Sequence, residues 1–327
     1  MFVRPRLDHH LSGVVATLCV LFFTLANEGL AQTANQAQLT REQAPSAFPP
    51  TVPSGAEGGN VAAAPGDAEL GEQQILKRVE EYQPFTISVG APFYWTSNVA
   101  LTRSGEQSDF VVAPAAAAFY EPRITDTLYG LIDVREQLFY YNQFDNFNFG
   151  SFDFEVGFRY IVPQWHNLLL RVEYDYNRLT EKNTFAAFFQ NHGFIIDAEI
   201  PFRFGRAQTL TLGADANISA AATESHHAPN INAISAQRSD YAVYLGYSAF
   251  LTRSFFVNAL GTLVVRQYYE GGRDDISEIL ALTANYRVNK YLTLSAVSTL
   301  AASQSNQSVF DYQVANLGGA VALQVKF

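Results

Sequence analysis

Apolar residues recur at every second position from residue 84 to the C-terminus, and the connectors between them alternate short and long. With aromatic residues gathered beside both kinds of connector, these observations predict an all-β chain. The architecture is a transmembrane, antiparallel up-and-down β-barrel of about twelve strands, with a short N-terminal helix before it.

The first residues read as a leader. Arg4 and Arg6 precede an apolar run from Leu11 to Leu25, and Gly29 and Ala31 supply small residues, so residues 1–31 are expected to be a signal peptide cleaved after Ala31. The run is too short for a membrane anchor. Cys19, the single cysteine, follows Leu18, which is too large for the small residue a lipoprotein signal needs there. Without Cys19 the remaining chain has no thiol, hence no disulfide, thiolate metal site or cysteine nucleophile. Loss of residues 1–31 removes two charges of each sign and leaves the net charge of -10, which argues against a nucleic-acid partner.

Residues 32–66 are rich in Ala, Pro, Gly and Gln, with almost no large apolar side chains, and are expected to form a disordered periplasmic lead. In 67–83 Asp67 can cap, while Leu70, Ile75, Leu76 and Val79 share a face before Pro84. This predicts a short helix and a possible plug. The barrel is assigned to 84–327.

Strands are expected at 85–95, 109–120, 127–141, 149–161, 167–178, 191–204, 207–220, 239–251, 254–269, 275–287, 290–302 and 310–327. In 152–160, Phe152, Phe154, Val156, Phe158 and Tyr160 alternate with Asp153, Glu155, Gly157 and Arg159. Each segment of about ten residues suffices to cross a bilayer at barrel tilt. Short turns such as GRAQ and LTRS alternate with longer polar loops near 96–108, 179–190, 221–238, 270–274 and 303–309. Tyr120, Tyr160, Trp165, Phe204 and Tyr286 lie beside short turns, and Trp95, Tyr140, Tyr141, Tyr268 and Tyr269 at the long-loop ends, as two interfacial belts would require.

If the apolar face meets lipid, the charged face lines a lumen. The lumen-lining set is Asp133, Arg135, Asp153, Glu155, Arg159, Arg171, Glu173, Asp175, Asp197, Glu199, Arg203, Asp215, Arg266 and Arg287. An Arg on the lipid side near the midplane would cost roughly 2–4 kcal/mol. These charges suit either a hydrated passage or a salt-bridged interior packed shut. Small inward residues on later strands, Ala242, Gly246, Ser248 and Gly318 among them, leave room for a channel or an inserted segment. A soluble barrel with the same alternation would enclose a cavity too large for these side chains to fill.

The last strand alternates Val321, Leu323, Val325 and Phe327 and stops on an aromatic residue. In this the chain resembles bacterial outer-membrane β-barrel proteins, porin-like, whose last strand carries such a pattern as an assembly signal. The resemblance covers 84–327. It implies outer-membrane lipid and lipopolysaccharide, the outer-membrane assembly machinery and small polar solutes as partners, and a passive channel as function.

Two other readings have residues to carry them. Autotransporter-like translocators also place a helix before a twelve-stranded barrel ending in Phe, but residues 32–66 are too short to be a passenger. A rim hydrolase would use His192 or His227 with Asp274 and Asp275, although no histidine sits in a recognisable hydrolase motif. Metal binding by His226, His227 and Glu224 is disfavoured because neighbouring strand residues point apart. No cofactor motif is present.

Overall fold

The computed structural model describes residues 33–48, 82–182, 184–205, 207–225 and 236–327. One helix, α1 (Ala34–Gln43), precedes β1 (Phe85–Thr96), β2 (Asp109–Val112), β3 (Ala115–Tyr120), β4 (Leu128–Tyr141), β5 (Phe149–Val162) and β6 (Leu168–Glu181). There follow β7 (Ala187–Phe204), β8 (Gln208–Glu224), β9 (Arg238–Phe250), β10 (Phe255–Tyr268), β11 (Asp274–Arg287), β12 (Leu292–Ser305) and β13 (Tyr312–Lys326). All belong to one antiparallel sheet in which sequence neighbours pair, as period-two patterning joined by short connectors dictates.

β2 and β3 are two halves of one stave, so the sheet is a closed ring of twelve. Proline causes the division. The pairing of Phe93 with Val112 and of Gly90 with Ala115 keeps a single register through Ala113 and Pro114, but Pro92 and Pro114 each lack an N–H. The ladder is kept by the Ala113 N–H donating to the Pro92 carbonyl and the Leu138 N–H to the Pro114 carbonyl, both at 2.9 Å. The Gln137 side-chain amide reaches the Ala113 carbonyl that Pro92 leaves without a donor, at 3.5 Å.

The ring closes along the full length of its first and last strands. β1 and β13 pair from Thr86 opposite Lys326 to Thr96 opposite Asn316. Beyond them the Phe327 N–H donates to the Phe85 carbonyl at 2.8 Å, and the Phe85 N–H to the Phe327 carbonyl at 3.3 Å. The final residue is therefore a rung of the wall.

Along each strand exposure follows the pleat. In β1, Phe85, Ile87, Val89, Phe93 and Trp95 point out and are exposed, whereas Thr86, Ser88, Tyr94 and Thr96 point in and are buried. Tyr120, Tyr160, Trp165, Phe204, Tyr286 and Phe327 stay exposed at the short-turn rim, and Trp95 and Tyr269 near the long-loop rim. Tyr141 and Tyr268 depart from the expected outer belt. They sit on inward positions and are buried at 6% and 7% exposure.

Four charges on the described strands face outward: Glu136 and Arg178, which flank Phe152 in one cross-strand row, and Asp274 and Glu278, opposite Gln267 and Leu263. All lie toward the long-loop end of their strands, where the cost of a charge at the outer surface falls.

The N-terminal part corrects the sequence reading. The lead expected to be unstructured carries α1, and the helix expected over 67–83 lies outside the described residues except at 82 and 83, which are not helical. Thr33 caps α1 through its side-chain oxygen, which accepts from the Gln36 N–H at 3.2 Å. The expected signal peptide also lies outside the described residues.

An arginine at outward position Leu280, seventh of the fourteen residues of β11, is expected to destabilise the barrel by about 2–4 kcal/mol. Denaturant titration of Leu280→Arg in a phospholipid bilayer checks this.

The lumen and its resident plug

The side of the sheet that carries the charges is the enclosed one, because α1 bonds to strands all round the ring. It reaches Asp153 on β5, Arg238 on β9, Arg266 and Tyr268 on β10, and Tyr312 and Asn316 on β13. A single helix can touch all of these only from inside. Each contact lies within five residues of the long-loop end of its strand, so α1 occupies that half of the lumen. After α1 the chain runs toward the middle, and at Gly90 a Cβ would collide with the Ala47 carbonyl, so glycine gives the segment passage along β1.

The apolar side of α1 is small. Ala34 and Ala37 are fully buried in a cluster with Tyr94, Val111, Phe139, Phe147, Phe149 and Leu179, in which Phe139 and Phe149 stack at 4.4 Å. Leu39 packs with Ala301, Tyr312 and Val314. This apolar collar and the helix pack together in the long-loop half.

The polar side of α1 meets charge. The Arg41 guanidinium donates to Asp153, while Glu42 accepts from Arg238 and, at 3.0 Å, from Arg266. Asn35 accepts from the Tyr268 hydroxyl at 2.8 Å and from Arg238 at 3.1 Å. Desolvation inside the barrel would raise the Glu42 carboxyl, but Arg238, Arg266 and Arg41 outweigh it and hold it below its ordinary 4.5. Desolvation would likewise depress Arg41. Asp153, Asp175 and Glu42 overcome this and hold the guanidinium above its ordinary range.

By strand register the fourteen charged positions singled out in the sequence share the pleat side that α1 occupies. Asp133, Glu155 and Asp175 stand directly opposite one another on β4, β5 and β6. Arg135 pairs with Asp133 at 2.8 Å, and Arg171 lies 3.5 Å from Glu173 and 3.7 Å from Asp197. Arg159 pairs with Glu121, and Asp215 stands opposite Asp197 and Ala242. The Tyr244 hydroxyl donates to Asp197 at 2.9 Å and to Glu199 at 3.1 Å, its ring lying where a Cβ of Gly213 would be. Arg203 and Arg287 are exposed at the short-turn rim, Arg287 over the Phe256 ring. On the opposite wall Asn258, Thr283, Asn285 and Ser295 are joined by hydrogen bonds.

Arg238, Asp240, Arg273 and Tyr244 were not singled out from the sequence, although Asp240 and Tyr244 share the inward parity of Ala242 and Gly246. Arg273 is held by Asp275 at 2.9 Å and lies 4.2 Å and 3.8 Å from the Tyr268 and Phe310 ring centroids.

The hydrolase grouping of His192 with Asp274 and Asp275 does not assemble. His192 faces outward on β7 between Tyr174 and Tyr176, bonded to the Tyr174 hydroxyl at 2.6 Å, because it shares the pleat side of Phe194 and Ile196 in the unbroken register with β6. Asp275 faces inward on β11, four strands from β7 in the sheet, and is bound to Arg273. His226 and His227 lie outside the described residues. His166 is a left-handed turn residue with φ 55°.

No protein-family model matches the sequence, and no curated protein matches it. Among solved structures, an outer-membrane channel from Pseudomonas putida F1 is similar with a TM-score of 0.50 at 10% identity, covering 75% of this chain and 97% of that one. The fold is that of bacterial outer-membrane β-barrels. Two further structures are similar at lower scores. LpxR from Salmonella typhimurium gives a TM-score of 0.42 at 7% identity, covering 73% of this chain and 99% of its own. The translocator domain of the autotransporter NalP from Neisseria meningitidis gives 0.41 at 12%, covering 76% and 90%.

Because Glu42 is held below 4.5 by its arginines, its share of the plug's attachment is complete above that value and is lost only as pH falls through the depressed pKa. A nitroxide on Ser46→Cys, in a Cys19→Ala background, should keep constant mobility from about pH 7 to 4.5 and gain mobility only below it. Electron paramagnetic resonance reads this directly.

Proposed function

We propose that this protein is a plugged, porin-like passive channel for small hydrophilic solutes in the bacterial outer membrane. The long loops then face the cell exterior, and the short turns and both ends of the barrel face the periplasm. The supporting observation is the division of the enclosed side into two halves. The long-loop half holds α1, whereas the other half is walled by charges on β4 to β8 and by amides and hydroxyls on β10 to β12. A packed soluble core would place apolar groups there.

The charge on that wall is uneven. Asp133, Glu155, Glu173, Asp175, Asp197, Glu199 and Asp215 outnumber Arg135, Arg159 and Arg171, so the passage favours cations over anions. Outer-membrane lipid and lipopolysaccharide surround the apolar exterior. Val321, Leu323 and Phe327 point into that exterior, where the assembly machinery can read them before β1 covers the strand edge.

In planar bilayers the full chain is expected to show small, discrete conductance steps, and removal of residues 33–48 to enlarge them several-fold. Asp215→Asn with Glu199→Gln should lower the cation-to-anion permeability ratio measured from reversal potentials. A folded, heat-modifiable protein that conducts neither with nor without residues 33–48 contradicts the channel.

A further inference from the structure

Arg41 and Glu42 are adjacent on α1, so their side chains leave the helix about 100° apart and reach different walls. β5, which holds Arg41, and β10, which holds Glu42, lie five staves apart in a ring of twelve, close to diametrically opposed.

Each wall lacks the charge that α1 brings. On one side the Arg238 and Arg266 side chains are 4% and 1% exposed, and Asp240 is the one wall carboxylate paired with them among the described residues. Two enclosed cations thus share one wall anion until Glu42 arrives. On the other side Asp153 is 10% exposed and fixed by Asn177 at 2.8 Å and Ser151 at 3.3 Å, with no wall cation paired to it among the described residues. The nearby Arg135 pairs with Asp133 instead. Lifting α1 out leaves one wall cation and Asp153 without a protein partner, so a solute that carries both complementary charges can take the place of the helix.

We propose that this half of the lumen is a binding site for small zwitterions carrying a guanidinium or ammonium group and a carboxylate, spaced as on adjacent residues of a short peptide. Arg41 and Glu42 occupy the site in cis. A solute displaces them by placing its carboxylate between Arg238 and Arg266 and its cation on Asp153. The proposal rests on the channel reading for its biological meaning, but binding is measured without conduction.

The probe is the dipeptide arginyl-glutamate, titrated calorimetrically against the full chain folded in detergent, with glucose and propionate as comparators. The tethered plug competes at high effective concentration, so Glu42→Gln is expected to tighten dipeptide binding about tenfold. Arg266→Gln is expected to abolish it. If Glu42→Gln does not fold, the wild-type wall is tested through Leu39→Cys in a Cys19→Ala background, since Leu39 is 2% exposed beneath the seated helix. The dipeptide, and neither comparator, should then accelerate maleimide labelling. Binding or labelling no better with dipeptide than with glucose overturns the proposal, as does binding that survives Arg266→Gln. A protein that conducts without binding overturns this inference alone, and one that binds without conducting overturns only the channel.

Discussion

Everything in this barrel depends on the backbone finding its own hydrogen-bond partners where the surroundings offer none. In hydrocarbon an unpaired N–H or C=O costs several kcal/mol, so a sheet that crosses a membrane has to close. The meeting of β1 with β13, continued by the two bonds between Phe85 and Phe327, satisfies that constraint to the last residue. The same demand shows where the wall is weakest. At Pro92 and Pro114 the ladder loses two donors in adjacent staves, and the Gln137 side chain reaches one of the carbonyls left behind.

Closure also fixes the inside. Once the apolar half of every pleat faces lipid, the other half must be polar, and a twelve-stave ring is too wide for those side chains to fill. The protein completes the space with its own N-terminal segment. α1 suits the task because it is small where it meets the aromatic collar and charged where it meets the walls. Its attachment is chiefly electrostatic and polar, with no large apolar side chain other than Leu39, a basis consistent with a segment that can leave.

The barrel was legible because its signal is redundant. Every strand repeats the same alternation, and an error in one segment, such as the poorly alternating run that became β2 and β3, is corrected by its neighbours. The inward charges followed from the same parity. The plug was not legible from hydrophobic periodicity, since ANQAQLTREQ is polar on most of its surface and resembles a linker. Its cap was the available signal: Thr33 followed three residues later by Gln36 is the opening of a capping box, outweighed in the sequence reading by the surrounding Ala, Pro and Gly. The pairing of Arg41 and Glu42 with opposite walls depends on how strands five staves apart face one another, which no local pattern encodes. His192, by contrast, was legible from parity alone, since it falls on the same side of the pleat as Phe194, Ile196 and Ala198.

The inversion of polarity is tested most directly by single cysteines placed at every position of β11, in a Cys19→Ala background, with the protein folded into liposomes. An environment-sensitive fluorophore at Ile276, Leu280, Leu282 and Tyr286 should be quenched by nitroxides in the lipid tails, while Ser277, Ile279, Ala281 and Thr283 should escape that quencher. Quenching that ignores the pleat, or that selects the second set, contradicts a barrel with its apolar face in lipid.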